Sequence, residues 1–312
     1  MDDGRVYDPE FGFDIGERGV LFAARSWLDQ MATRGTGGFD VMKLEIFQVD
    51  AFTSKPFGGN PAAVVPLDAW LPDETMLNIA AENNLAETAF FVKNGDQYDI
   101  RWFTPKVEVN LCGHATLATA HVIFNELKLE DEKIRFHSHR SGPLGVEKDG
   151  DKFVLDFPAY PITEIATLPQ LVDVEVPPLQ SWETQGNMLM MLLRSQEEVA
   201  TLEPDIQHVA TLPYDEIIIT AKGDDCDFVS RMFAPRIGIP EDPVTGAIHC
   251  SLIPYWADVL GKTQLFARQV SARGGELFCE LAGDRVQIGG HATLFLRGEI
   301  YIDEAVLATA GA

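Results

Sequence analysis

The chain reads as an α+β protein of two similar lobes, each a mainly antiparallel sheet wrapped around one central helix. Three observations lead there. Short apolar runs bounded by turn residues recur along most of the 312 residues, without regular strand–helix alternation. Two segments, residues 117–127 and 251–260, have the length and apolar content of buried helices. Each follows a glycine-marked turn, Gly113-His114 in one half and Gly246-Ala247 in the other. Their matching places suggest one architecture used twice.

Residues 43–91 interleave apolar runs with turn signals at Ser54-Lys55-Pro56, Gly58-Gly59-Asn60 and Leu71-Pro72-Asp73. Within them, residues 73–83 have helical spacing through Met76, Leu77, Ile79 and Ala80, after a Pro-Asp start. Residues 98–104 alternate as a strand, 134–138 and 144–147 pair as a hairpin, and 153–157 add another strand. Pro158, Pro161 and the acidic, proline-rich stretch 168–178 mark the join of a first lobe, 42–160, to a second, 161–312. The last strand is free to return to the first lobe. In the second lobe, strands are expected at 187–193, 216–221, 270–273, 278–281, 286–288 and 292–302, with a short helix at 197–204.

Residues 1–41 read as a weakly ordered extension, too acidic for a transit peptide and lacking the apolar stretch of a secretion signal. Residues 20–31 within it have the pattern of a short amphipathic helix, with Leu21, Trp27, Leu28 and Met31 as the apolar side.

Apolar content of 46% with 10% aromatics describes a packed globular protein. A net charge of −24 argues against nucleic acid and anionic membrane as partners. No apolar run approaches the ~20 residues of a membrane helix. Cys112, Cys226, Cys250 and Cys279 are widely spaced, without a metal-binding pattern, which fits a reduced, cytoplasmic compartment. Hydrolase, nucleotide-triphosphatase and dinucleotide signatures are missing. An acidic protein that binds an anion must concentrate positive potential locally, at helix N-termini or through Arg101 or Arg273.

Glu87 is a single carboxylate in the apolar run Leu85-Ala86-Glu87-Thr88-Ala89-Phe90-Phe91. Desolvation would favour its neutral form and suit it to proton transfer, although a solvated turn glutamate fits the same residues. The N–H groups at Gly113 and Gly246 are candidate anion cradles. His114 fits either a substrate contact or a residue of the cap region. Asp242, between Glu241 and Pro243, fits either a plain turn or a second acid/base.

The order of these motifs resembles the PhzF family, the phenazine biosynthesis-like isomerases, related in fold to diaminopimelate epimerase. The matching pieces are Gln48 to Thr53, Phe57 to Pro61, Asn84 to Phe91, Cys112 to Thr116, Ser141 to Leu144, Glu241 to Gly246, and Arg273-Gly274-Gly275. They cover residues 42–302. The resemblance implies an epimerase-like fold and a cofactor-independent isomerase, without a metal, acting on a small carboxylated metabolite. It implies Glu87 as the proton carrier, assisted by His114 and by Asp242 rather than Glu241. It assigns Asn60, Gly113, Gly246, Ala247 and Arg273 to substrate binding, and leaves a homodimer open. Many members carry serine where this chain has Ala247, which removes a hydroxyl donor. Cys112 falls where the epimerases keep a catalytic thiol, but the opposed position offers Asp242 instead of a second thiol. An amino-acid epimerase and a catalytically silent binding or scaffold protein of the same fold are the alternatives. In the main reading, Glu87 and Asp242 line a cleft between lobes, with the glycine turns facing each other.

Overall fold

The computed structural model describes residues 41–166 and 177–303. The extension up to residue 40, its helix at 20–31 and most of the proline-rich join lie outside the described residues. The first half runs β1 (Val41–Ala51), β2 (Asn60–Leu67), α1 (Asp73–Asn83), β3 (Glu87–Asn94), β4 (Gln97–Phe103), β5 (Glu108–Val109), α2 (Gly113–His121), β6 (Lys133–Ser138), β7 (Gly142–Asp149) and β8 (Lys152–Pro158). The second starts with β9 (Ile162–Glu164), β10 (Gln180–Thr184), β11 (Met188–Leu192), α3 (Gln196–Thr201) and α4 (Ile206–Val209). It continues with β12 (Glu216–Lys222), β13 (Phe228–Ala234), β14 (Ile239–Asp242), α5 (His249–Leu260), β15 (Gln264–Gln269), β16 (Gly275–Ala282), β17 (Arg285–Gly290) and β18 (Ala292–Asp303).

The pairing of one half repeats in the other. In the first, β1–β2 is antiparallel, β2–β3 parallel and β3–β4 antiparallel. Then β4 takes β5 antiparallel and β6 parallel, and β6–β7–β8 is an antiparallel meander. In the second, β10–β11 is antiparallel, β11–β12 parallel and β12–β13 antiparallel. Then β13 takes β14 antiparallel and β15 parallel, and β15–β16–β17 is the meander. The halves join through antiparallel β8–β17. At the outer ends β9 pairs with β10, and β18 pairs with β1. The fold is α+β with one pairing scheme used in both halves, as expected.

Each half of the sheet packs against its own central helix. Every residue of α2 from His114 to His121 is buried, as a helix apolar on all sides requires. Its threonines satisfy themselves: Thr116 and Thr119 hydroxyls donate to the Cys112 and Ala115 carbonyls at 2.6 and 2.7 Å. The helix then widens into a π turn at Val122–Glu126. In α5, Pro254 lacks the N–H that would bond Cys250. The Tyr160 N–H takes that carbonyl at 2.8 Å, so the proline leaves no orphan. Among the described residues no helix is long and apolar enough to cross a membrane.

Residues 270–273 are not the expected strand. The polar run Ser271-Ala272-Arg273-Gly274 turns between β15 and β16, and the strand lies just upstream, with Leu265, Ala267 and Gln269 facing inward. β13 went unanticipated because it is buried on both faces and lacks alternation.

Candidate active site

Parallel pairing of β2 and β3 sets Ala62 beside Glu87, so Asn60 and Glu87 begin adjacent strands at one end of the sheet. Gly59 makes this entry possible. Its φ is +60°, and a Cβ there would meet the Ala51 carbonyl oxygen at 2.0 Å. Upstream of Glu87, α1 ends on left-handed Asn84, whose N–H donates to the Ala80 carbonyl and turns the chain toward β3.

The starts of α2 and α5 meet here. Gly113 opens α2 after extended Cys112. α5 is entered through a tight turn in which His249 N–H donates to Gly246 O at 3.0 Å and Cys250 N–H to Ala247 O at 3.1 Å. A Cβ built on Gly113 would lie 3.6 Å from the Cα of Gly246. The two turns therefore touch backbone to backbone.

A chain of short contacts crosses this join. His114 Nε2 is 3.1 Å from Glu87 Oε2. That approach is misaligned for a hydrogen bond, so the buried Oε2 has no aligned donor. His114 Nδ1 lies 3.2 Å from Asn60 Nδ2 and 3.5 Å from Cys112 Sγ. Asn60 Nδ2 donates to Asp242 Oδ1 at 2.8 Å and to the Val244 carbonyl at 2.9 Å. The Thr245 hydroxyl donates to the other Asp242 oxygen. Gln269 clamps this loop, donating to the Asp242 carbonyl at 2.8 Å and accepting from Thr245 N–H at 2.8 Å.

Glu87, His114 and Asp242 are 8%, 5% and 6% exposed, so their charges act with little screening. Burial pushes Asp242 up to about 6; Glu87 adds to the rise, while His114, Thr245 and Asn60 oppose it. Burial alone would lower the His114 imidazole, but Cys112 and Glu87 outweigh it and hold it well above its ordinary value. Burial and then the Glu87 charge push the Cys112 thiol up to about 11, with His114 opposing.

Residues 49–298 match the PhzC-PhzF family, described as phenazine biosynthesis-like protein. The chain belongs to this family. An uncharacterized isomerase of Pseudomonas aeruginosa is 53% identical over 260 residues, covering 83% of this chain and 99% of that protein. The crystal structure of a PhzF-family phenazine biosynthesis protein from Enterococcus faecalis superposes with a TM-score of 0.80 at 47% identity. It covers 84% of this chain and 100% of its own. A hydroxyproline epimerase from Agrobacterium vitis, 9% identical, superposes with a TM-score of 0.55 over 85% of this chain and 94% of its own, a likeness of fold alone. Membership of the PhzC-PhzF family supports isomerase-type activity in general.

In this PhzC-PhzF member, Glu87, His114, Asn60 and Asp242 converge, and Gly113, Gly246 and Ala247 form the turns beside them. Arg273, expected to bind substrate, does not join them. Its guanidinium donates to the Gly58 and Gly59 carbonyls, each at 2.8 Å, and to Asp50 at 2.9 Å. It holds the loop that delivers Asn60. Arg101 is likewise committed, to Glu108 and Asp73 at 2.7 and 2.8 Å. Glu241 pairs with Arg231 at 2.7 Å.

Sequence reasoning gave no role to Thr245 or Gln269. Thr245 lay inside a quoted motif, whereas Gln269 had no local signal beyond being polar at an inward strand position. A cavity of ≈ 410 Å³ lined by Phe52, Lys55, Gln269 and Arg273 touches the network through Gln269, without Glu87 or Asp242 in its wall. The fold also gathers ligand atoms of Glu87, Cys112 and His114 within 4.8 Å of one another, although their sequence spacing showed no metal pattern. Such an O, S, N set could hold a zinc-like cation.

Proposed function

We propose that the protein is a cofactor-independent isomerase that moves a proton, and with it a double bond, beside the carboxylate of a small polar metabolite. The observation that carries this reading is the buried contact chain Glu87–His114–Asn60–Asp242 at two touching helix entries. Backbone N–H groups at Gly113, Gly246 and Ala247 would hold the carboxylate. Glu87 would take a proton from a substrate carbon, and the C–H electron pair would move into the π system conjugated with the carboxylate. Glu87 would exchange that proton with solvent and deliver one to another carbon, so one C–H bond breaks, one forms, and nothing is oxidised. Cationic His114 would steady the ionised Glu87, and Asp242, near its midpoint around pH 6, would donate or accept a hydrogen bond to the substrate.

Cytoplasmic residence belongs to the same reading, in keeping with four free cysteines, as does a homodimer, to be checked by sedimentation. The test of the chemistry is incubation with a panel of carboxylated metabolites in D₂O, read by NMR. Deuterium at carbon with a shifted double bond supports the proposal. Deuterium with inverted stereochemistry instead identifies an amino-acid epimerase. No exchange on any compound that binds leaves a silent binding protein.

A further inference from the structure

The turn into α2 brings a thiol and an imidazole to the same place beside Glu87. Cys112 is extended, with φ −141° and ψ 109°, and helical geometry starts at Gly113. Cys112 Sγ thereby comes within 3.5 Å of His114 Nδ1 and 3.9 Å of Nε2, two residues on. His114 Nε2 in turn lies 3.1 Å from Glu87 Oε2, at the start of β3. One ligand atom from each of the three residues falls within 4.8 Å of the other two. Around a tetrahedral ion with bonds of about 2.0–2.3 Å, neighbouring ligand atoms stand roughly 3.3–3.8 Å apart. The gaps of 3.1 and 3.9 Å bracket that spacing, so an ion fits between the three with small side-chain shifts.

The carboxylate is also left open to a cation. Glu87 is 8% exposed, and its Oε2 is buried without an aligned donor. A buried carboxylate oxygen in that state costs stability, and an ion that fills the gap removes the cost. Cys112 and His114 are equally withdrawn, at 7% and 5%. The matching places in the second half are Glu216, Thr245 and Ala247, which offer neither thiol nor imidazole. Among the described residues no other three such side chains gather in this way, so one ion per chain is expected. A thiolate and an imidazole select zinc or cobalt, and reject magnesium and calcium, which prefer oxygen.

We propose that Glu87, Cys112 and His114 bind one zinc-like divalent cation, which shuts off proton transfer while it is bound. Binding displaces the Cys112 thiol proton and any proton on His114 Nε2, and both pass to solvent. The ion then occupies the oxygen lone pair with which Glu87 would take a proton from substrate. The shut-off rests on Glu87 as the proton carrier, whereas the binding rests on the geometry alone.

Cobalt(II) is the probe, added to the full chain without oxygen and with a phosphine reductant. A net charge of −24 draws any divalent cation loosely, so the readout must report the thiol. The wild type should show a thiolate-to-cobalt charge-transfer band in the near ultraviolet that saturates at one ion per chain. Zinc should displace it, and magnesium at ~100-fold excess should not. Cys112→Ser should abolish the band and weaken zinc by at least ~10-fold, since even groups behind a ligand are worth that much. Cys226→Ser, at a half-buried thiol elsewhere, should leave both unchanged. No band in the wild type overturns the proposal and needs no variant to fold. A band that survives Cys112→Ser, or vanishes with Cys226→Ser, also overturns it. Zinc-edge X-ray absorption of the wild type should count one sulfur among nitrogen and oxygen neighbours, and none or two would overturn the site. Deuterium exchange on a compound active in the D₂O panel should stop with saturating zinc and return with a chelator. Exchange that continues with the site full upholds the binding and overturns both the shut-off and Glu87 as the proton carrier.

Discussion

The two halves of the chain share a strand-pairing scheme and differ at the few places where chemistry sits. Each opens its third sheet position with a glutamate, Glu87 or Glu216. After the glycine the first half has His114 and the second has Ala247; at the short strand before that turn, the first has Val109 and the second Asp242. Even the bracing repeats. Ser141 donates to the Asn110 carbonyl just past β5, and Ser271 donates to the Pro243 carbonyl just past β14 at 2.7 Å. A sheet around a helix needs only inward apolar positions and turn residues at the right spacing, which many sequences supply. Proton transfer needs particular groups at particular atoms. One scaffold used twice thus yields two unlike half-sites that face each other.

The largest expected effect separates the two glutamates. Glu87→Gln keeps shape and removes the proton carrier, so kcat for deuterium exchange should fall by at least ~100-fold with KM nearly unchanged. Glu216→Gln, at the matching strand position outside the contact chain, should leave kcat within a few-fold. Equal losses of kcat in both variants would break the comparison, since both halves would then share the chemistry.

Much of the architecture was legible in the sequence because it rests on local signals. Residues 73–83 showed their helix through apolar spacing after Pro72-Asp73, and α1 spans those residues. The hairpin of β6 and β7 showed through the paired apolar runs 134–138 and 144–147. β13 did not show, because full burial erases the alternation that marks a strand. For the site, Glu87, His114 and Asp242 stood out as chemistry-bearing types inside motifs. The roles of Arg273 and Gln269 could not be read, because their partners lie far along the chain. Arg273 meets Asp50 of the other half, and Gln269 meets Asp242 and Thr245 only once β15 lies beside β13. The place of Glu216 emerges only when the pairing of both halves is laid side by side.

The next effect concerns how the halves are held together. Arg273, from the second half, donates to Asp50, Gly58 and Gly59 of the first. Its counterpart region in the first half stays within its own lobe, where Arg140 pairs with Glu108 at 2.7 Å. Asp50 is 2% exposed, so removing its cation leaves a buried charge held by little beyond the Phe57 N–H. Arg273→Met should cost about 2–3 kcal/mol, below the ~3–5 of a fully buried pair, because a third of the Arg273 side chain meets solvent. That corresponds to a fall in melting temperature of about 5 °C or more for a protein of this size. Asp50→Asn added to it should recover part of the loss. A melt within about 1 °C of wild type would show that the stitch contributes nothing.

The smallest effect is a contrast in pH dependence between two buried histidines, one near the start of each central helix. His114 faces Glu87 and Cys112, and is held well above its ordinary value. Its folded-state gain is complete below 6.5 and fades as pH rises through the folded value. His249 has the opposite sign. Its Nδ1 lies 2.8 Å from the Thr245 carbonyl, which only accepts, so Nδ1 carries the hydrogen. Its Nε2 is buried without a partner, and burial lowers the ring to about 4, the Thr245 bond opposing. The unfolded chain therefore takes up a proton near 6.5 that the folded chain refuses until about 4, and stability falls with pH across that window. At pH 5 a gap of this size amounts to about 2 kcal/mol, on the order of 5 °C of melting temperature. His249→Gln retains an N–H donor and cannot titrate. Between pH 7 and pH 5 its melting temperature should therefore drop less than that of the wild type by that amount. Parallel drops in the two proteins would mean that His249 is protonated in the fold, and the sign of the contrast between the halves would be lost.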